Sequence, residues 1–294
     1  MAVDVDRLTQ HIAELTKIPR PAESAELEVA RSYAMEQMES FGWTVRPHPF
    51  DTEDEAGRSL SGVNLIAEHN HHACSDRPRF CVGAHIDSRP DTPGADDNAS
   101  AVAALFEIAR LLPEQWPTDS PLDLELVLFD LEENGMLGGA EHARISKADN
   151  VDLRGMVSLE MLGYCDHSPN SQSLPRQLRG LYPDTGDFIA IIGNQNSGAL
   201  IESYAVGMKQ IDGLPVESLQ VPDNGNMLQA TRLSDHSPFW DAGYSAVMIT
   251  DTSFMRNPHY HMPTDTLETL DMEFLELATR GSLKAVIEIL TTGL

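Results

Sequence analysis

The chain has 294 residues, 41% of them apolar, and a formal net charge of −26. It is long enough to bury a sizeable core as one large α/β domain or two modest ones. So acidic a surface repels phosphate backbones and anionic lipids, which argues against nucleic acid and membranes as partners.

The start, from Met1 to Arg7, lacks the basic stretch and apolar core of a signal peptide. No apolar run approaches the ~20 residues needed to span a bilayer. Cys74, Cys81 and Cys165 lack CxxC spacing and read as free thiols. A cytoplasmic protein is expected.

Residues 5–18 carry Val5, Leu8, Ile12 and Leu15 at helical spacing, and residues 25–41 repeat an amphipathic pattern that Gly42 can cap. Short strands are predicted at Trp43–Val45 and Val63–Ala67, and His69 to His72 read as a surface loop. Strand and helix patterns then alternate: strands at Phe80–Ala84, Leu122–Leu131, Met156–Leu162, Phe188–Ile192 and Ser245–Thr250, helices at Ala99–Leu112, Gly138–Ala148, Ala199–Met208 and Met272–Leu290. Such alternation predicts a single α/β domain over 1–294, with a mostly parallel, mixed central sheet covered by helices on both faces. Residues 165–187 and 209–233 are rich in Pro, Gly, Asn, Asp and Ser. They read as long loops, so 165–233 is expected to pass over the site as an excursion.

Ligands of open α/β sheets bind at the carboxyl ends of the strands, and metal-type side chains gather there. His85 and Asp87 follow one strand, and Glu132 and Glu133 follow another. Glu160 lies near the end of a third, and His259 and His261 follow the last. The loop Gly94-Ala95-Asp96-Asp97-Asn98 lies between the first two of these strands. Zinc accepts imidazole nitrogen and carboxylate oxygen, and a two-metal site needs a bridging carboxylate to hold its ions ~3.5–4 Å apart. Glu132 and Glu133 can divide the labour, one binding metal and the other taking a proton from water. Asp87 is placed to receive the second imidazole N–H of His85. Glu160 lies among Val157, Leu159, Met161 and Leu162, where a carboxylate needs a partner. Asp235 and His236 are read as supporting the site by hydrogen bonds.

These segments together resemble the co-catalytic zinc aminopeptidases of the zinc-dependent exopeptidase superfamily, whose relatives include aminopeptidase Y, glutamate carboxypeptidase and glutaminyl cyclase. The resemblance covers roughly residues 5–290. It rests on His85-Ile86-Asp87-Ser88, on Gly94 to Ser100, on Phe129 to Gly138, on Ser234 to Phe239 and on Tyr260 to Thr266. It implies the phosphorylase/zinc-exopeptidase-like fold and two Zn2+ ions. His85 and Glu160 would hold one ion, Glu133 and His261 the other, and Asp96 would bridge them. It further implies Glu132 as general base, Tyr260 as donor to the oxyanion, and Asp97 as partner of a non-proline cis peptide after Asp96. Many members carry aspartate where this chain has Glu160.

The expected activity is removal of N-terminal residues from peptides. A carboxypeptidase anchored through Arg256, a glutaminyl cyclase-like acyltransferase and a non-catalytic binding protein are the alternatives.

Overall fold

A computed structural model describes residues 2–69 and 77–294. His71, His72 and Cys74 lie outside the described residues.

Two helices open the chain, α1 (Val5–Leu15) and α2 (Ala25–Ser40). Asp4 caps the first by accepting from the amides of Asp6 and Arg7, and Ser24 caps the second by accepting from Leu27. A long hairpin follows, β1 (Trp43–Glu53) and β2 (Ser59–His69), then β3 (Arg79–His85), α3 (Ala101–Leu111), β4 (Asp123–Phe129), α4 (Leu137–Ala148) and β5 (Leu153–Glu160). The second half brings β6 (Ile189–Asn194), α5 (Gly198–Met208), β7 (Val216–Val221), α6 (His236–Ala242), β8 (Ala246–Thr250) and α7 (Met272–Thr292).

The eight strands form one sheet in the order β1-β2-β4-β3-β5-β8-β6-β7. The pairs β3–β4, β3–β5, β5–β8 and β6–β7 are parallel, whereas β1–β2, β2–β4 and β6–β8 are antiparallel. Every residue of β4 and of β8 is buried. Both faces of these central strands are therefore covered, which suits their largely apolar composition. Side chains of α1, α2, α3, α5 and α7 pack into the larger core on one face, and those of α4 and α6 into the smaller core on the other. No helix among the described residues is long and apolar enough to cross a membrane.

The expected single α/β domain with a mixed, two-side-covered sheet is the observed one. Two elements escaped the sequence pattern. β7 falls in a stretch read as loop, and it is an edge strand whose Glu217, Ser218 and Gln220 remain partly or fully exposed. α6 is only seven residues long and carries His236 and Pro238. Within 165–233, the strand and helix expected at 188–192 and 199–208 are β6 and α5, and β7 adds an edge strand to the sheet. The loops of this region still reach the carboxyl edge.

Candidate active site

The carboxyl ends of β3, β4, β5 and β8 carry the candidate residues to one rim. His85 ends β3, and Glu160 ends β5. Leu131, Met136, Met161, Thr252 and His261 all take positive φ beside that rim. For non-glycine side chains this conformation costs about 1–3 kcal/mol each, and such strain concentrates at functional sites.

Glu132 and Glu133 are fixed through their backbones. Asp87 accepts both amides, Glu132 N at Oδ1 and Glu133 N at Oδ2, each at 3.1 Å. One turn earlier, Asp130 accepts from Arg31 (2.5 Å), from Val63 N (2.6 Å) and from Leu131 N (2.8 Å). Gly138 and Gly139 then let α4 start in close contact. A Cβ on Gly139 would stand 2.6 Å from Asp235 Oδ1, and one on Gly138 would strike the backbone of Asp130.

The side chains converge as two groups that share one residue. His85 Nε2 stands 3.2 Å from Asp97 Oδ1, 3.6 Å from Glu160 Oε1 and 3.9 Å from Glu132 Oε2. His261 Nε2 stands 3.2 Å from Asp97 Oδ2 and 3.2 Å from Glu133 Oε2. The donor atoms of His85, Asp97 and Glu160 lie within 4.8 Å of one another, as do those of Asp97, Glu133 and His261.

Here the sequence expectation is corrected. Asp96 was expected between the two histidines, but Asp97 is the residue found there. Both backbone amides donate to Asp265, Asp96 N to Oδ1 (2.9 Å) and Asp97 N to Oδ2 (3.1 Å). The carboxylate of Asp96 points inward, where it accepts from Asn257 Nδ2 (2.6 Å) and Gly163 N (2.9 Å). The cis peptide likewise joins Asp97 to Asn98, one residue later than expected.

The remaining residues divide between rim and interior. Asp87 Oδ1 lies 3.4 Å from His85 Nδ1, and the backbone carbonyl of Asp87 lies 3.2 Å from the same nitrogen. The Tyr260 ring stacks on His261, with centroids 3.7 Å apart. Asp235 is buried and accepts from Gly139 N, with Oδ2 making no hydrogen bond. His236 pairs through Nε2 with the Thr231 carbonyl. His259 turns to Thr264 and Tyr164. Arg256 is buried with its guanidinium over Phe188, and its Nε donates to Gln172.

Several supporting residues had no role assigned from the sequence: Asn98 and Ser234 lie in motifs of the resemblance, and Arg20 lies in none. Asn98 donates to the Leu159 carbonyl and accepts from Met161 N, which fixes the strand end bearing Glu160. Ser234 donates to Glu160 Oε2 at 2.8 Å. Arg20 is buried and donates to the carbonyls of Leu15, Ile86, Pro93 and Gly94, tying down both ends of the loop between His85 and Asp97. The adjacent Pro19 and Pro21 were the only sequence hint of an immobilised segment. Arg20→Met leaves four carbonyls short of a donor, so it is expected to lower stability by roughly 3 kcal/mol or more in urea unfolding.

The electrostatics of the cluster call for a cation. Burial pushes Glu132 and Glu160 up, and burial together with Asp97 pushes Glu133 up to about 7. Burial would lower His85, but the carboxylates of Glu160, Glu132, Asp87 and Asp97 overcome it and push the imidazole well up. His261 likewise rises to about 9 against its burial, through Asp97 and Glu133. His85 Nε2 and Glu133 Oε1 are buried without a hydrogen bond. Imidazole and carboxylate donors held this way fit a divalent cation of the zinc type.

Above the cluster opens a cavity of about 240 Å³. Asp97, Glu132, Glu133, Glu160, Tyr260 and His261 border it, and Leu174, Leu178, Phe188, Leu219, Leu233 and Met248 supply apolar wall. The wall comes largely from the loops, from β6 and from the edge strand β7 between residues 174 and 233.

The carboxyl edge of an α/β sheet thus carries a donor cluster that fits a divalent cation, beneath an apolar cavity. The chain belongs to peptidase family M28, whose profile matches residues 64–286. It is 32% identical to the uncharacterized protein YfbL of Escherichia coli K12, across 91% of this chain and 88% of that one. It is 28% identical to the aminopeptidase YwaD of Bacillus subtilis, across 67% of this chain but only 38% of that protein's length. The fold superposes on BSAP, a zinc aminopeptidase from Bacillus subtilis, with a TM-score of 0.75 at 16% identity, covering 97% of this chain and 94% of that one. It superposes equally well on the glutaminyl cyclase of Bacteroides thetaiotaomicron, with a TM-score of 0.74 at 19% identity and 98% coverage of both chains.

Proposed function

We propose that this chain is a zinc-dependent aminopeptidase. The observation that carries the reading is the pair of donor sets sharing Asp97, with Glu132 beside them and an apolar cavity above. His85, Asp97 and Glu160 would hold one ion, and Asp97, Glu133 and His261 a second. Zinc bound there supplies Lewis acidity, which acidifies water and polarises a substrate carbonyl. A single-ion cyclase site would need only one of the two sets.

Glu132 makes no hydrogen bond through its carboxylate to another described residue, so it is free to take the proton of the attacking water and return it to the leaving amine. Tyr260 stays protonated, because burial and the neighbouring carboxylates push its phenol up, and can donate to the oxyanion. The carboxylates bordering the cavity attract a substrate α-ammonium group. Arg256 supplies no carboxylate anchor there, being buried against Phe188 and absent from the cavity lining. Arg89 borders the cavity, but it donates to the Glu133 carbonyl. The named aminopeptidase among the relatives supports the same reading.

The test is a panel of short peptides with free or blocked ends, assayed before chelation, after chelation and after zinc is restored. Chelator-sensitive cleavage that requires the free N-terminus alone is expected. Cleavage that requires a free C-terminus would reverse the polarity of the reading. Cyclisation of N-terminal glutamine without peptide cleavage would replace it with the cyclase.

A further inference from the structure

Outside the active site, Cys165, His167 and Asp271 bring a thiol, an imidazole and a carboxylate within 4.8 Å of one another. Cys165 and His167 follow β5, and Asp271 is the N-cap of α7. The cap uses Oδ1 alone, which accepts from Glu273 N and Phe274 N. Oδ2 is left for another partner.

Two distances, the first also a thiol–imidazole hydrogen bond, fit a soft divalent cation. Cys165 Sγ lies 3.6 Å from His167 Nε2. A tetrahedral zinc with Zn–S of about 2.3 Å and Zn–N of about 2.0–2.1 Å sets those donors about 3.6 Å apart. The other ring nitrogen, His167 Nδ1, lies 3.6 Å from Asp187 Oδ2. A carboxylate behind the second nitrogen is the usual companion of a metal-binding histidine.

We infer that Cys165, His167 and Asp271 form a second zinc site, with solvent as fourth ligand and Asp187 orienting the imidazole. The site links the start of the segment bearing Leu174 and Leu178, both in the cavity wall, to the head of α7. It is separate from the catalytic cluster, whose donors are nitrogen and oxygen only.

Cobalt(II) distinguishes the two, since only a thiolate ligand gives a sulfur-to-cobalt charge-transfer band in the near ultraviolet. Apo protein titrated with Co2+ is expected to show that band, and zinc should bleach it. The band should vanish in Cys165→Ser and persist in Cys74→Ser and Cys81→Ser. Asp187→Asn should weaken cobalt binding at this site about 10-fold or more. His167 is exposed, so His167→Ala should keep the fold and still lose the band. A wild-type titration without the band, or a band that survives Cys165→Ser or His167→Ala, overturns the assignment. Neither result depends on peptidase activity.

Discussion

Glu132→Gln is expected to lower kcat by about 10²–10⁴-fold while zinc content and KM stay close to those of the wild type. The substitution preserves shape and removes only the ability to accept a proton. It should leave the turn intact, because the turn is held through the backbone: Asp87 takes the amides of residues 132 and 133. Zinc should be retained too, since the two donor sets are complete without Glu132. The carboxylate borders the cavity 3.9 Å from His85 Nε2, where a nucleophilic water must lie to attack a carbonyl bound in that cavity. Turnover of a free-N-terminus peptide, with zinc measured on the same sample, decides the matter. Near-full activity in a zinc-replete variant removes Glu132 as base, and loss of zinc would make it a ligand instead.

The candidate ligands at strand ends could be read because their neighbours are so regular. His85 and Glu160 each close a buried apolar strand, and Glu133 follows another by a short turn, so periodicity locates them to within a residue or two. Asp96 and Asp97 defeated that approach. They are adjacent, identical and in a loop, where no period says which one faces outward. The choice is made by Asp265, which binds both amides from 168 and 169 residues away in sequence. Arg20 escaped for a related reason: its role lies in reaching four carbonyls, which no local pattern records. The cavity wall was the least legible part, because loops and a half-exposed edge strand build it. Their apolar residues, such as Leu174, Leu178 and Leu219, follow no continuous helical or strand repeat across the wall.

That ambiguity makes neighbouring aspartates the sharpest pair of variants. Asp97→Asn is expected to lower zinc content and to reduce kcat/KM by at least about 10²-fold, a loss of at least about 2.7 kcal/mol of transition-state stabilisation. Both imidazoles stand 3.2 Å from its carboxylate oxygens, one on each, so an amide would serve at most one side with an oxygen and turn its NH2 toward the other. Asp96→Asn should keep its zinc and stay within about 10-fold of the wild type, the range of a residue acting behind the ligands. Its carboxyl group is buried, held well above the usual carboxylate range by burial and by Asp251, so a charge is disfavoured there and a neutral amide of the same shape is tolerated. Zinc analysis and kcat/KM on the two variants, prepared side by side, check the prediction. If Asp96→Asn loses the metal and Asp97→Asn keeps it, the shared carboxylate belongs to residue 96, and the orientation of the whole loop from Gly94 to Ser100 must be redrawn.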